Sequence, residues 1–189
     1  MLSIHQRLYL SASKLISHRG ITSPVRSIAT ADLCDDHIQS PPRFSIATPN
    51  YFKDYGNRKE FHGQIETIRC FESNPLVRKT LQTPGAGKVL VVDGAASTRV
   101  ALMGDMLAEF AFKNGWAGVV INGCIRDSRA ISEIDVGVKA IGTQPVKSRK
   151  DFDGDKGVSV SFAGVEFVPG HWIYCDEDGV IISEHEMTK

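Results

Sequence analysis

Two short segments contain the residues whose types and spacing could support chemistry. The first, residues 103–107, reads Met-Gly-Asp-Met-Leu and begins a stretch with helical spacing. Gly104 lets a ligand approach the backbone closely, and the free N–H groups in the first turn of a helix bind carboxylates well. Asp105 also has a purely structural explanation, because an acidic residue in the first turn complements the helix dipole. Taken alone, the segment favours the structural explanation.

The second segment, residues 122–127, follows an apolar run and contains Arg126 and Asp127. An arginine can hold a carboxylate or an enolate through two parallel hydrogen bonds, and a neighbouring carboxylate can help to bind a divalent cation. An Arg–Asp pair can equally well fasten a loop to the protein. The local sequence leaves both interpretations open.

The elements that must position these segments alternate between strand and helix. Apolar, β-branched runs predict buried strands, whereas apolar residues at helical spacing, with Gly115 at the C-terminal cap, predict a helix. This order predicts parallel strands with right-handed crossovers, and ligands bind beyond the carboxyl ends of such strands. The predicted strands are residues 88–93, 119–122 and 138–141, and the predicted helices are residues 104–114 and 128–134.

The sequence after Asp151 changes to short strands joined by tight turns. Residues 158–162 and 165–168 form one predicted pair, residues 172–175 and 180–183 form another, and residues 61–71 alternate like a further strand. The acidic turn at 176–178 is interpreted as a solvated hairpin turn. The predicted fold class is therefore α/β, a layered domain with a mostly parallel central sheet and a C-terminal antiparallel β appendage.

Composition excludes several classes of function. The 189-residue chain has 22 basic and 22 acidic residues, so no global charge attracts nucleic acid or an anionic membrane. No apolar run approaches the roughly 18 residues that a membrane span needs. The four cysteines include no C-x-x-C pair, so neither a zinc site nor a disulfide framework is predicted.

The first 29 residues differ in character from the rest of the chain. No acidic residue occurs before Asp32, and Arg7, Lys14, Arg19 and Arg26 are interspersed with serines. A basic, serine-rich and amphipathic segment is typical of an organellar transit peptide. We therefore expect residues 1–29 to be a presequence that is disordered or cleaved, and residues 30–189 to form a single domain. We also expect the protein to be mitochondrial. The alternative is a disordered tail on a cytoplasmic protein.

The two chemical segments together resemble a known family. Asp105 and Arg126 are separated by twenty residues and followed at once by Asp127, within V-L-V-V-D-G, G-D-M-L-A-E and N-G-W-A-G-V-V-I-N-G-C-I-R-D. This D-x20-R-D pattern closely resembles the class II, metal-dependent 4-hydroxy-4-methyl-2-oxoglutarate aldolases. Shorter bacterial members of that family are known as regulators of ribonuclease activity A. The resemblance covers essentially everything after the presequence.

The resemblance implies a swivelling β/β/α-type fold and a ring-shaped homotrimer with active sites between subunits. It implies cleavage of 4-hydroxy-2-oxo acids to pyruvate and decarboxylation of oxaloacetate. The alternative is a non-catalytic regulator that binds and inhibits a ribonuclease. A methyltransferase is not predicted, because residues 94–97 lack G-x-G-x-x-G and lead into no immediate helix.

The resemblance also assigns substrate contacts. Gly104, Met106 and Leu107 would donate backbone N–H groups to the substrate carboxylate. Arg126 would bind the oxo-acid end and the developing enolate, and Lys147 would lie near the pocket.

The remaining assignments concern the metal and the proton. Asp127 would bind Mg²⁺ or Mn²⁺, and Asp105 would orient the water that shuttles a proton. One departure concerns a further acidic residue that active members can carry shortly after the Arg-Asp pair. Here residues 128–130 read Ser-Arg-Ala, and the nearest acid is Glu133.

Overall fold

The computed structural model describes residues 29–38, 44–152 and 154–188. The described elements, in chain order, are α1 (Thr30–His37), β1 (Phe44–Ile46), β2 (Lys53–Asp54), β3 (Phe61–Arg69), α2 (Pro75–Leu81), β4 (Val89–Asp93), β5 (Ala101–Met103), α3 (Asp105–Lys113), β6 (Gly118–Ile125), α4 (Ser128–Ile131), β7 (Gly137–Thr143), β8 (Asp155–Lys156), β9 (Val160–Phe162), β10 (Val165–Phe167), β11 (Trp172–Cys175) and β12 (Val180–Ser183).

One large mixed sheet organises the fold. Its strand order is β1-β12-β11-β3-β4-β6-β7-β2, with β5 beside β6 and β8 beside β3. The central pairs β3–β4, β4–β6 and β6–β7 are parallel. Strands β1, β12 and β11 are antiparallel and join the parallel part through β3. The predicted α/β fold class is confirmed. Of the two predicted hairpins of the appendage, β11–β12 extends the central sheet, whereas β9–β10 forms a separate two-stranded sheet.

Both faces of the central strands are buried. Along β4, Leu90 and Val92 pack on one face with α2 and α3, whereas Val89 and Val91 pack on the other face with the β9–β10 hairpin. All four side chains are fully buried. Because successive strand residues point to opposite faces, burial on both sides requires the continuous apolar run that the sequence displays.

Several element boundaries differ from the sequence prediction. Strand β6 runs to Ile125, which is three residues further than predicted, and its whole length is buried. Strand β3 ends at Arg69, and α4 ends at Ile131. Helix α2 was not predicted, although Asn74 followed by Pro75 and apolar residues at helical spacing is a helix-start signal.

The interpretation of the acidic turn as merely solvated was wrong for Asp176. Its carboxylate accepts the backbone N–H of Thr30 at 2.6 Å and the hydroxyl of Thr30 at 2.7 Å, and it also accepts the N–H groups of Asp178 and Gly179. Burial alone would raise the pKa of Asp176, but these hydrogen bonds outweigh it and lower the pKa. Asp176 therefore fastens the start of α1 to the sheet.

The predicted presequence lies outside the described residues, so the mitochondrial assignment stays a prediction. Within the described ranges, no helix combines the length and the apolar character that crossing a membrane requires.

Candidate active site

The site is built where β5 passes into α3. Gly104 caps α3 with an extended backbone, at φ −133° and ψ −172°. A Cβ atom at this position would lie 2.6 Å from Oδ2 of Asp127 and 3.2 Å from Nε of Arg126. Glycine is therefore required by the close approach of two side chains, which places the start of α3 directly against the Arg-Asp pair.

Arg126 and Asp127 follow β6 immediately. The backbone N–H of Arg126 donates to the Met103 carbonyl at 2.9 Å, which joins the ends of β5 and β6. The Nε of Arg126 lies 3.2 Å from Oδ2 of Asp127, and both side chains are somewhat more than one-third exposed. No described residue accepts a hydrogen bond from the terminal nitrogens of Arg126, so the planar fork is available to a ligand.

Asp127 has a left-handed backbone, with φ 54° and ψ 36°. A non-glycine residue in this region costs of order 1–3 kcal/mol and persists only where its surroundings hold it. Here the Asp127 carbonyl accepts the Ile131 N–H at 3.0 Å at the start of α4. The strained turn aims the carboxylate back at Gly104.

Two adjoining depressions meet at Asp105. The first, here called the basic cleft, has a volume of about 100 Å³, smaller than the roughly 300–1,000 Å³ of sites for drug-sized ligands. The second, here called the acidic groove, is wide and open and includes Asp127 and Glu133. Residues lining the basic cleft include Asn74, Arg78, Gly104, Asp105, Met106, Leu107, Arg126, Lys147, Ser148 and Lys150.

The structure thus brings the predicted site residues together across the two depressions. Asp105 belongs to both, and the Arg126–Asp127 ion pair connects them. Sequence analysis missed Asn74 and Arg78 on one wall and Ser148 and Lys150 on another. The helix-start signal at Asn74-Pro75 could have located the first wall, but no local signal places the loop after β7 beside β5.

Two of the three predicted backbone donors, Met106 and Leu107, are already engaged in this conformation. The Met106 N–H donates to Oδ1 of Asp105 at 2.7 Å, and the Leu107 N–H donates to the Gly104 carbonyl at 3.1 Å. A substrate carboxylate at this helix start must therefore compete with Asp105 for the Met106 N–H. The role of these donors stays a prediction.

Lys147 is held beside β5 by the backbone. The Ala101 N–H donates to the Val146 carbonyl at 2.7 Å, and the Ser148 N–H donates to the Ala101 carbonyl at 3.1 Å. These two bonds flank Lys147, whose residue is exposed at the rim of the basic cleft. The arrangement fixes the backbone of Lys147 and leaves its side chain exposed at the rim.

Glu72 holds together the loops that border the basic cleft. Its buried carboxylate accepts Ser97 Oγ and Arg99 Nε, each at 2.6 Å, and its carbonyl accepts the Arg149 N–H at 2.8 Å. The hydrogen bonds from Arg99 and then Ser97 lower the pKa of Glu72. The loops that border the cleft are thus tied to one residue, Glu72, through its carboxylate and its backbone carbonyl.

Cys124 does not act as a nucleophile in this geometry. It is 2% exposed, and burial raises the pKa of its thiol. Because the thiolate is the reactive form of cysteine, a buried thiol with a raised pKa is interpreted as a packing side chain.

Asp127 is suited to a divalent cation whose remaining ligands are water and substrate oxygens. Within the described ranges, no three His, Cys, Asp or Glu side chains are close enough to form a complete protein cage. Mg²⁺ commonly keeps several waters and is held by one or two carboxylates together with substrate oxygens. Asp127, exposed in the acidic groove with Glu133 on the same wall, matches that mode.

The comparisons with known proteins agree with this architecture. The family model described as "RraA-like: Aldolase/RraA" matches residues 30–182. The chain belongs to the RraA-like family. Among its relatives, a protein of Aromatoleum aromaticum is 52% identical over 158 residues, covering 84% of this chain and 97% of the relative. That relative carries the provisional name of a 4-hydroxy-4-methyl-2-oxoglutarate aldolase.

Two solved structures of RraA-like architecture are similar over most of their length. The RNA-processing inhibitor RraA from Thermus thermophilis has a TM-score of 0.79 and 41% identity, with 85% of this chain and 94% of that chain covered. A structure titled S-adenosylmethionine: 2-dimethylmenaquinone methyltransferase, from Geobacillus kaustophilus, has a TM-score of 0.79 and 46% identity, with 84% and 96% covered. The names of these RraA-like relatives span three different activities.

Proposed function

We propose that this RraA-like chain is a divalent-metal-dependent lyase. It cleaves 4-hydroxy-2-oxo acids of the 4-hydroxy-4-methyl-2-oxoglutarate type to pyruvate and also decarboxylates oxaloacetate. The observation that carries the proposal is the convergence of Arg126 and Asp127 on the start of α3 at Gly104. Both reactions leave the enolate of pyruvate, so one site that stabilises this charge serves both.

Arg126 binds the oxo-acid end and stabilises the enolate. Its Nε is occupied by Asp127, which orients the guanidinium and leaves the two terminal nitrogens for substrate oxygens. A fixed cation where negative charge develops commonly contributes about 3 kcal/mol to transition-state stabilisation.

Asp127 would hold Mg²⁺ or Mn²⁺, and Glu133 lines the same groove. The bound cation supplies Lewis-acid stabilisation of the oxo group and carboxylate. No lysine Schiff base is then required.

Asp105 moves the proton. Its carboxylate holds the Met106 N–H before substrate binds. The substrate carboxylate takes this donor, with support from Gly104 and Leu107 at the helix start. Asp105 is then released to orient a water that relays the proton of the 4-hydroxyl group to the Asp105 carboxylate and later returns this proton to the enolate carbon. Lys147 at the rim attracts the anionic substrate.

The test measures pyruvate release from 4-hydroxy-4-methyl-2-oxoglutarate and from oxaloacetate, each with EDTA and then with excess Mg²⁺ or Mn²⁺. We expect EDTA to abolish release and the metals to restore it. Activity that survives EDTA but is trapped by borohydride would indicate a lysine Schiff base and contradict the proposal.

A regulatory function is the second candidate, favoured by the 41% identical RNA-processing inhibitor. In that case the chain binds a ribonuclease of the RNase E type, and the cleft is not used for turnover. Inhibition of such a ribonuclease by the purified chain, without pyruvate release from either acid, would favour this candidate.

Methyl transfer is not proposed despite the name of one solved relative. Residues 94–97 lead into β5 rather than into a helix, so they do not form the start of a dinucleotide-type helix.

We further propose a homotrimer, as the family resemblance implies. Phe71, Val146 and Phe152 are each about half exposed and lie on segments that border the basic cleft. Large apolar side chains that remain exposed mark candidate protein interfaces.

A further inference from the structure

We infer that Arg78 determines substrate specificity by binding a second carboxylate, the one on C4 of the substrate. This inference rests on the proposed function and goes beyond it, because it concerns the half of the substrate that leaves. The starting observation is the charge of the basic cleft, which is lined by Arg78, Arg126, Lys147 and Lys150 but by only one carboxylate, Asp105.

Three of the four cations that line the cleft lack an acidic partner among the described residues. Arg126 is paired with Asp127. Arg78, Lys147 and Lys150 make no salt bridge within the described part of the chain, although all three line the same cleft. Converging cations repel one another, and an anion between them removes that cost. The cleft therefore selects a ligand with more than one negative charge.

Arg78 has a more fixed position than the two lysines. It lies one turn after Asn74 along α2, so both side chains share the helix face that borders the cleft. Its guanidinium carbon is 5.8 Å from the centre of the Phe110 ring on α3, a cation–π distance. The backbone on the same wall is fixed because Asn74 Nδ2 donates to the Leu102 carbonyl at 2.8 Å.

The spacing of the two ends matches a five-carbon diacid. Phe110 is five residues beyond Asp105, so the residue whose ring Arg78 contacts lies roughly 7 Å along α3 from the helix start, at about 1.5 Å per residue. Four carbon–carbon bonds of about 1.5 Å span roughly 5 Å when extended. Hydrogen bonds at each end cover the remaining distance. The C1 carboxylate at the start of α3 thus leaves the C4 carboxylate within reach of Arg78.

The test is a binding preference measured on the full chain with Mg²⁺. The probes are 2-oxoglutarate and 2-oxopentanoate, which have equal chain length, differ by one carboxylate and lack the 4-hydroxyl needed for cleavage. Calorimetry on the wild type should show at least tenfold tighter binding of 2-oxoglutarate. Arg78→Gln should reduce this preference about tenfold or more, as for loss of a charged hydrogen bond, and Arg78→Lys should give an intermediate value.

Lys79→Gln is the matched control, because Lys79 is the next exposed cation on α2 and lies outside the lining of the cleft. It should keep the wild-type preference. A preference that is absent from the wild type, or unchanged in Arg78→Gln, would overturn the inference even if pyruvate is produced. Conversely, the protein could show an Arg78-dependent preference but release no pyruvate. That result would support the carboxylate-binding site and contradict the proposed lyase activity.

Discussion

Asp127 and Arg126 have different electrostatic roles in the proposed active site. One carboxylate faces the acidic groove, and one guanidinium faces the basic cleft, with 3.2 Å between Nε and Oδ2. Each side chain can therefore be tested for a different property.

Asp127→Asn should lower metal-dependent pyruvate release at least 100-fold, because the neutral amide is a poor ligand for Mg²⁺. Metal titrations of turnover and of binding would measure the loss. Glu109→Gln is the control, since it removes an exposed carboxylate paired with Lys113 on the same helix, outside both depressions. Turnover in Asp127→Asn close to that of the control would contradict the metal assignment.

Arg126→Lys should reduce kcat about 100-fold, because an ammonium cannot keep a donor on Asp127 and also present two parallel donors to the substrate. Steady-state kinetics with 4-hydroxy-4-methyl-2-oxoglutarate would measure it. Circular dichroism should show an intact fold, since the side chain is more than one-third exposed. A variant that keeps kcat and changes only KM would assign Arg126 to ground-state binding alone.

At the level of the elements, the loop between β4 and β5 stores backbone strain. Ala95 and Ala96 both have φ 54°, and both residues are exposed. The left-handed region costs a side chain roughly 1–2 kcal/mol, which exceeds the entropy cost of a glycine. Ala96→Gly should therefore raise the free energy of unfolding by about 0.5–1 kcal/mol, measured by urea denaturation. Ala108→Gly, in the middle of α3, should instead lower it by about 1 kcal/mol or more. Equal changes in the free energy of unfolding for the two variants would contradict the proposed backbone strain at Ala96.

The attachment of α1 should depend on pH. Because the folded state lowers the pKa of Asp176, its carboxylate stabilises the fold above the unfolded pKa of about 3.9, and this contribution disappears as pH falls through the folded pKa. Asp176→Asn should cost about 1–3 kcal/mol at pH 7, since it replaces a buried acceptor of several N–H and O–H groups. The loss should shrink below pH 4. Thermal unfolding at pH 7 and pH 3.5 would check this, and a loss independent of pH would contradict it.

The sequence predicted the parallel centre well because burial on both faces leaves a strong apolar signal in β4 and β6. It also placed Gly104, Arg126 and Asp127 together, because strand ends in a parallel sheet share an edge. It could not place Arg78 or Lys150, since these exposed side chains enter the cleft only through long-range contacts between α2, β5 and the loop after β7. Asp176 was misjudged for the same reason, because its partner Thr30 lies 146 residues away.

At the scale of the whole molecule, assembly is the property to test. We expect sedimentation to show a trimer and Phe152→Asp to shift it towards monomer, because a charge within an apolar interface is costly. Phe112→Asp provides the control, as Phe112 is similarly exposed but lies on α3, outside the segments that carry the proposed interface residues. A wild-type monomer, or equal dissociation by both variants, would contradict the proposed interface.

The division between a centre placed at buried strand ends and walls formed by exposed side chains also bears on how such proteins diversify. Gly104, Arg126 and Asp127 adjoin buried strand ends, where substitution disturbs close contacts. Arg78, Lys147 and Lys150 are exposed and can change with little effect on stability. Selection, or a directed-evolution library limited to these wall positions, can thus explore new acid substrates without losing the fold. The same separation allows relatives with one architecture to acquire different biological uses.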